Sequence, residues 1–483
     1  MRYNMHFIIA LIFTILIFPV FAQTGITWSV PITVAGSEYD NLRPRLAADA
    51  AGNAMVLWGD GTGDNAYFSK WNGSAFTTPV KINPESADVF VSDWAGPDLA
   101  SKGDTVYAVY KQDPEDYTPA YIVRSFDGGA SFSTPFAVED IADSISRFPV
   151  VAVNTSGNPV VAFMKFNADF LDSRWSVAVS NDYGSTFFVD VRASGYEEDE
   201  VCDCCPGSLA IADNTIAMLY RNNKNNYRNM WAGISTNHGI SFPAGIPVDD
   251  SNWTLNICPS SGPDGVIIAD TLYTVFMSGA GGANRVYLST TSLSNPESSS
   301  TKLLAEDIAD LNSQNYPKIA HHDSALAIVW KQVVNNDAQI AFLYNDNLQD
   351  GFPVGVEVIA ASTSNNLNNP DVFISNGKIH VVWQNNANNT IQYISGDYTL
   401  TGIQPAIVLQ QDIEVYPNPA SGILSINIAA ESVKLFDLNG QQTDAPYYPA
   451  SKSIDVTSLL NGMYIMQIQH QQEIRFQKLV IQH

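Results

Sequence analysis

The sequence predicts an all-β protein: a seven-bladed β-propeller followed by a small Ig-like β-sandwich. Three observations carry this. Across residues 25–402 a proline, an apolar strand, a polar turn and a second strand ending in an aromatic recur, with prolines 52 to 58 residues apart. That period is the length of a four-stranded blade. An eight-residue turn, Ser125 to Phe132, recurs at the matching place in other repeats, and from residue 411 the chain changes to short alternating strands with Asn-Gly turns.

Taken in order, residues 1–22 carry Arg2, an apolar run from Phe7 to Val20 and small Ala22. This is the pattern of a secretory signal peptide cleaved after Ala22. The run is short for a bilayer span, and no later stretch is long and apolar enough to be one, so the mature chain is expected to have no transmembrane helix.

The propeller is expected over residues 23–405. Its markers run from Pro44-Arg45-Leu46-Ala47 with Trp58, through Pro97 with Tyr110, Pro149 with Phe163, Pro206 with Tyr220, Pro259 with Phe276 and Pro317 with Trp330, to Pro370 with Trp383. Each aromatic ends an inner strand, a place that predicts packing between blades rather than sugar stacking. The seventh repeat has a poor fourth strand, while Ile26 to Val34 is a strand without a repeat of its own. Pairing the two would close the ring and remove an open edge, which gives seven blades rather than six.

In Ser125-Phe126-Asp127-Gly128-Gly129-Ala130-Ser131-Phe132 the glycines take positive φ, the Ser and Asp bond the turn, and Phe132 plugs beneath it. Ser180, Asp182, Gly184 and Phe187 repeat the pattern. Ser235 to Phe242 has Asn237 in the Asp place, and Ser69 to Phe76 is a decayed copy with Trp71 there. In an up-and-down blade these turns lie on one face. The linkers before each proline and the loops after each aromatic lie on the other, where a site is expected.

With 24 Lys and Arg against 49 Asp and Glu, the net charge is −25, which argues against nucleic-acid binding. Much of this acidity precedes the prolines: Glu38, Asp40, Asp88, Asp93, Glu139, Asp143, Glu197, Asp249 and Glu306 among others. It reads as a solvated rim, as oxygen ligands for calcium, or as a source of a general acid. All four cysteines are also in linkers: Cys202, Cys204 and Cys205 before Pro206, and Cys258 before Pro259. Placing Cys205 and Cys258 at the same repeat position makes them spatial neighbours. Disulfides are the expectation in an exported chain: Cys202–Cys205 with Cys204–Cys258, or a vicinal Cys204–Cys205 bond. A thiolate metal site with Asp203 or His238 is the alternative.

The eight-residue turns resemble the Asp-box, or BNR repeat, of sialidase-like propellers. That resemblance implies a sugar-binding or glycoside-hydrolysing site with three arginines clamping a carboxylate, a tyrosine nucleophile and an acidic proton donor. Sialidases have six blades, so seven is a departure. Their first-blade Arg-Ile-Pro motif is matched best by Arg147-Phe148-Pro149 in the third repeat, while the first repeat offers Leu42-Arg43-Pro44. On this carry-over Arg147, Tyr316 and Arg285 are the catalytic candidates. Arg43, Arg174, Arg221, Arg228, Asp93, Asp143, Tyr196 and Glu197 make up the ligand-binding face.

Residues 411–483 open with Val415-Tyr416-Pro417-Asn418-Pro419 and continue through Leu424–Ile428, Val433–Gly440 and Ile454–Tyr464. They resemble the type A C-terminal sorting domain of the type IX secretion system of Bacteroidetes. This implies export through that machinery to the outer-membrane surface or beyond, with extracellular glycans or glycoproteins as the partners to expect. A glycan-recognising propeller, a sialidase-type hydrolase and a disulfide-locked adhesive protein are the three functions compatible with the sequence.

Overall fold

The computed structural model describes residues 25–398, apart from 142–143, 197–199, 307, 349–354 and 376, and residues 415–483, apart from 429, 438–440 and 471–472. The signal-peptide segment therefore lies outside the described residues, as do Asp143 and Glu197. The chain divides into two compact units, Met1–Gly402 and Ile403–His483. No helix among the described residues is long and apolar enough to cross a membrane.

The first unit is built from seven antiparallel sheets in chain order, six of four strands and one of five. In each sheet the strand after the repeated proline comes first and the strand ending in the aromatic second. The second strands are buried almost throughout: every residue of Ala54–Asp60 is buried, as is all but the first of Thr105–Lys111. A strand covered on both faces reads as a continuous apolar run rather than an alternating one. Trp58, Tyr110, Phe163, Tyr220, Phe276 and Trp330 are fully buried and Trp383 nearly so, which makes these aromatics core. Each contributes roughly 1.5–3 kcal/mol by leaving water.

First strands pack side by side around the unit, and that of the seventh sheet packs against that of the first. In three of the seven sheets an aspartate after the proline locks this arrangement. Asp98 Oδ2 accepts from Val151 N at 3.0 Å, Asp264 Oδ2 from Ile319 N at 3.0 Å, and Asp371 Oδ2 from Leu46 N at 2.8 Å. In every case a carboxylate reaches the amide two residues past the next sheet's proline. The last bond joins the two ends of the repeat array. The N-terminal segments Ile26–Trp28 and Ile32–Ala35 both pair with Thr390–Tyr398, as the unmatched strand in the sequence requires.

This bond pattern corrects one assignment. The fifth repeat's marker is Pro263, not Pro259, because Asp264 opens the strand Asp264–Ile268 and makes the same bond as Asp98 and Asp371. Two prolines four residues apart left the register ambiguous in sequence. Cys258 therefore does not share the repeat position of Cys205, although the two linkers do meet.

The turns behave as staples. Gly129 N and Ser131 N donate to Ser125 Oγ and Asp127 Oδ1, both at 2.9 Å, and Phe132 meets the Phe68 ring of the neighbouring sheet edge-on at 4.9 Å. Gly184 and Thr186 repeat this against Ser180 and Asp182, with Phe187 packed on the core. Asn237 replaces the carboxylate in the third copy, accepting from Ser241 N at 3.1 Å. In the decayed copy Ser69 Oγ donates instead to Thr77 O.

The second unit holds two four-stranded sheets around a core that includes Leu424, Ile426, Leu435, Ile454, Met466 and Leu479. This is the sandwich expected from the alternating strands.

Candidate functional site

Linkers and post-aromatic loops share a face, as their hydrogen bonds show. In the linker between the first and second sheets, Val89 N donates to Asp64 O of the first sheet's loop, and Phe90 N donates to Lys111 O beside the second sheet's loop. The same weave recurs where Cys202 N donates to Arg221 O and Arg228 N to Trp253 O.

Four residues immediately before a repeat proline hold positive φ: Arg43 at 50°, Phe148 at 52°, Tyr316 at 52° and Asn369 at 45°. At each the ladder to the next strand slips, between Leu42 and Arg45, Arg147 and Val150, Asn315 and Lys318, and Asn368 and Asp371. A non-glycine residue pays about 1–2 kcal/mol for this region, and a following proline disfavours it further. The bulge turns the side chain off the ladder. Arg43, Tyr316 and Asn369 line one cavity of about 40 Å³ with Arg45, Trp94 and Lys318. Phe148 meets Trp94 edge-on at 5.1 Å.

The linker residue Asp93 is the node above this cavity. Its carbonyl accepts from Asn369 Nδ2 at 2.6 Å and its carboxylate from Gln384 Nε2 at 2.9 Å. Arg43 fixes the next turn of the same linker, donating from Nη1 to Gly96 O and Pro97 O at 2.9 and 2.8 Å. Burial pulls the Arg43 guanidinium down to about 9, while Asp98, Asp371 and Asp264 oppose the shift. Burial raises the Tyr316 phenol and lowers the Lys331 ammonium; the Asp93 charge adds to the first shift and opposes the second. Asp93 is exposed, and Trp94 and Tyr316 are half-buried at the surface of the group. The cavity has room for about one water molecule, so a larger ligand would sit on this rim rather than inside.

The arginines do not form a clamp. Arg147 lies bidentate on Glu115 and over the adjacent rings of Phe166 and Phe170, its Cζ 5.2 and 5.1 Å from their centres. Arg285 donates to Asn284, Leu311 and Asn312 carbonyls, and Arg174 pairs with Asp172. Arg221, assigned to the ligand face, is instead fully buried and bonded to the Ser261, Arg228 and Met277 carbonyls. Arg228 holds Leu255 O and Cys202 Sγ, and Tyr196 donates to Phe242 O at 3.1 Å. Of the candidates, Arg43, Tyr316 and Asp93 are brought together. Trp94, Asn369, Gln384 and Lys331 were missed; Asn369 was recoverable from its pre-proline place, the others only from the folded chain.

Among the described residues the linker carboxylates do not gather into a calcium cage. Burial, then Asp93 and Asp60, raises the Asp40 carboxyl; burial, then Asp88 and Asp60, raises that of Asp64. Their oxygens stay apart: among the described residues, only Cys202, Cys204 and Cys205 bring three such ligand atoms within 4.8 Å of one another. Cys204 is bonded to Cys258 with Cα atoms 6.3 Å apart, which takes it out of a thiolate set and leaves Cys202 and Cys205 as buried thiols.

Residues 414–482 match the secretion system C-terminal sorting domain. The chain is similar at low identity to several solved structures. A Dyadobacter fermentans protein of unknown function is 14% identical, with 78% of this chain and 100% of that one covered and a TM-score of 0.44. A Hadza microbial sialidase is 10% identical over 74% of this chain and 65% of its own, also at 0.44. A Penicillium chrysogenum α-L-arabinanase complexed with arabinobiose is 11% identical over 77% and 99%, again at 0.44. No curated protein matches. The chain is thus an all-β, propeller-like protein with a type IX sorting domain, secreted to the cell surface typical of such Bacteroidetes substrates.

Proposed function

We propose that this chain is a seven-bladed, Asp-box-stapled, sialidase-like propeller that recognises extracellular glycans on its linker face, at the rim formed by Asp93, Trp94 and Tyr316. The observation that carries the reading is the set of four strained pre-proline bulges, all directed to one group of residues. Backbone strain kept at several related positions is a mark of a functional surface. The chemistry suits a neutral saccharide: an indole and a phenol for the apolar face of a sugar ring, and the exposed Asp93 carboxylate for its hydroxyls. Since Arg147, Arg174, Arg221, Arg228 and Arg285 are each already engaged by protein groups, recognition is the better supported reading and hydrolysis the lesser one.

The test is a glycan array probed with the exported full-length chain, alongside Trp94→Ala and Tyr316→Ala. A bound glycan whose affinity falls at least about tenfold in either variant supports the rim as the site. Binding unaffected by both removes it. A fluorogenic sialoside turned over by the chain, with turnover abolished in Arg147→Ala, would replace recognition by hydrolysis.

A further inference from the structure

The four cysteines are gathered where two linkers meet. Cys202-Asp203-Cys204-Cys205 contains a Cys-x-x-Cys pair whose sulfurs, Cys202 and Cys205, lie 3.1 Å apart. Cys202 Sγ also lies 3.6 Å from Cys204 Sγ, which is itself bonded to Cys258. A dithiol thus rests against a disulfide, with Cys202 in reach of both partners. Arg228 Nη1 donates to Cys202 Sγ at 3.2 Å.

We propose that the Cys202/Cys205 dithiol exchanges with the Cys204–Cys258 bond inside the folded chain, moving the disulfide from the surface to the interior. First the Cys202 thiolate attacks Cys204 Sγ. The Cys202–Cys204 bond forms, the Cys204–Cys258 bond breaks, and Cys258 leaves as a thiolate that takes up the proton Cys202 gave to solvent. Then Cys205, having lost its proton to solvent, attacks Cys202 Sγ; the Cys202–Cys205 bond forms and Cys204 leaves as a thiolate that is protonated in turn. Cys202 and Cys205 give up two electrons, Cys204 and Cys258 receive them, and no outside oxidant or reductant enters.

The surroundings suit these roles. The Cys205 thiol's hydrogen bond, and then the Arg228 and Arg221 charges, bring the Cys202 thiol down to about 7 against the effect of its burial, while burial pushes the Cys205 thiol up. A low attacking thiol paired with a buried, high resolving one is the division of labour of a Cys-x-x-Cys redox pair. The leaving sulfur is exposed and has Ser260 Oγ at 3.2 Å. The exchange has a consequence for the rim as well. The Cys204–Cys258 bond ties together two linkers whose Pro206, Gly207, Ser260, Ser261 and Gly262 line the same cavity as Arg43 and Tyr316, and moving the bond releases that tie.

The test follows Cys258 in the full-length exported chain. If the chain is isolated with both disulfides formed, one equivalent of a phosphine supplies the two-electron form. N-ethylmaleimide is added to the folded protein, and adducts at Cys258 are mapped by mass spectrometry. Any Cys258 already free reacts on mixing. The expected result is a slower phase in which chains bonded Cys204–Cys258 take label at a rate independent of reagent concentration and at least about tenfold faster than in Cys202→Ser. In Cys205→Ser the exchange stops after its first step, with Cys258 labelled and Cys202 bonded to Cys204. A wild-type chain that shows no slow phase over hours overturns the proposal, whatever the variants do. So does a slow phase of equal rate in a folded Cys202→Ser chain.

Discussion

Gln384 Nε2 donates to Asp93 Oδ1 at 2.9 Å, joining the seventh repeat to the linker that enters the second. With Asn369 bonded to the carbonyl of the same Asp93, and Arg43 to the Gly96 and Pro97 carbonyls, three side chains from the ends of the repeat array hold one linker in place. The rim proposed as the glycan site sets Asp93 and Trp94 of this linker beside Tyr316 of the sixth sheet.

That meeting should be the costliest contact to break. Asp371 is buried beside Arg45 and Lys318 and accepts from Leu46 N. Asp371→Ala would leave the buried Leu46 amide without a partner and would take one of two carboxylates from beside the buried Arg45, which keeps Asp98 at 3.5 Å. We expect a loss of about 2–5 kcal/mol in urea-induced unfolding. A change below about 1 kcal/mol would show that the contact between the first and seventh sheets does not depend on this clamp.

The turns give a second, independent measure. Gly129 sits at φ 80°, and an added Cβ would fall 2.3 Å from Phe68 Cζ. Gly129→Ala combines backbone strain with a clash into the neighbouring sheet's core, so it should cost roughly 2–4 kcal/mol. Gly73→Ala, in the decayed copy, meets nothing within 4 Å. It carries only the cost of its own φ, about 1 kcal/mol.

Acid should weaken the first unit in two windows. His380 is buried, with Ser375 Oγ at Nε2 and Tyr393 OH at Nδ1, and burial brings it down to about 4. Its folded value lies below the ordinary one near 6.5, so its contribution is present above about pH 6.5 and is lost as pH falls through 4. It amounts to at most about 3 kcal/mol. Asp127 and Asp182 are held at about 2, the first chiefly by the Ser125 hydroxyl and the second by that of Thr186. Their contribution is present above about pH 4 and is lost as pH falls through 2. Melting temperature against pH should show both limbs. His380→Gln should flatten the upper one, and Asp127→Asn with Asp182→Asn the lower.

Removal of residues 411–483 should stop export at the cell envelope without unfolding the repeats. The two units have separate cores, and the sorting match lies wholly in the second. Fractionation of the producing bacterium would show the truncated chain retained inside the outer membrane, where the full chain reaches the surface or the medium.

The sequence by itself determined the repeat, the strand order within each repeat, the N-terminal strand that joins the seventh sheet, the turn chemistry and the sorting sandwich. Each of these is local: a period, an alternation, a Ser-x-Asp-x-Gly turn or a short run of prolines and asparagines writes itself into neighbouring residues. What only the tertiary structure decided is which distant residues meet. Arg147 looked like a clamp from its place before Phe148-Pro149, yet Glu115 and two phenylalanine rings occupy it. Arg221 looked like a rim residue and became a buried brace for three carbonyls. The choice between Pro259 and Pro263 needed the bond from Ile319 N to Asp264, 55 residues away. Asp93 and Gln384 are 291 residues apart, and only the packing of the seventh sheet's first strand on that of the first sheet brings their side chains in reach. Short-range periodicity fixes what each sheet is, whereas a site built between sheets depends on distances that no local pattern encodes.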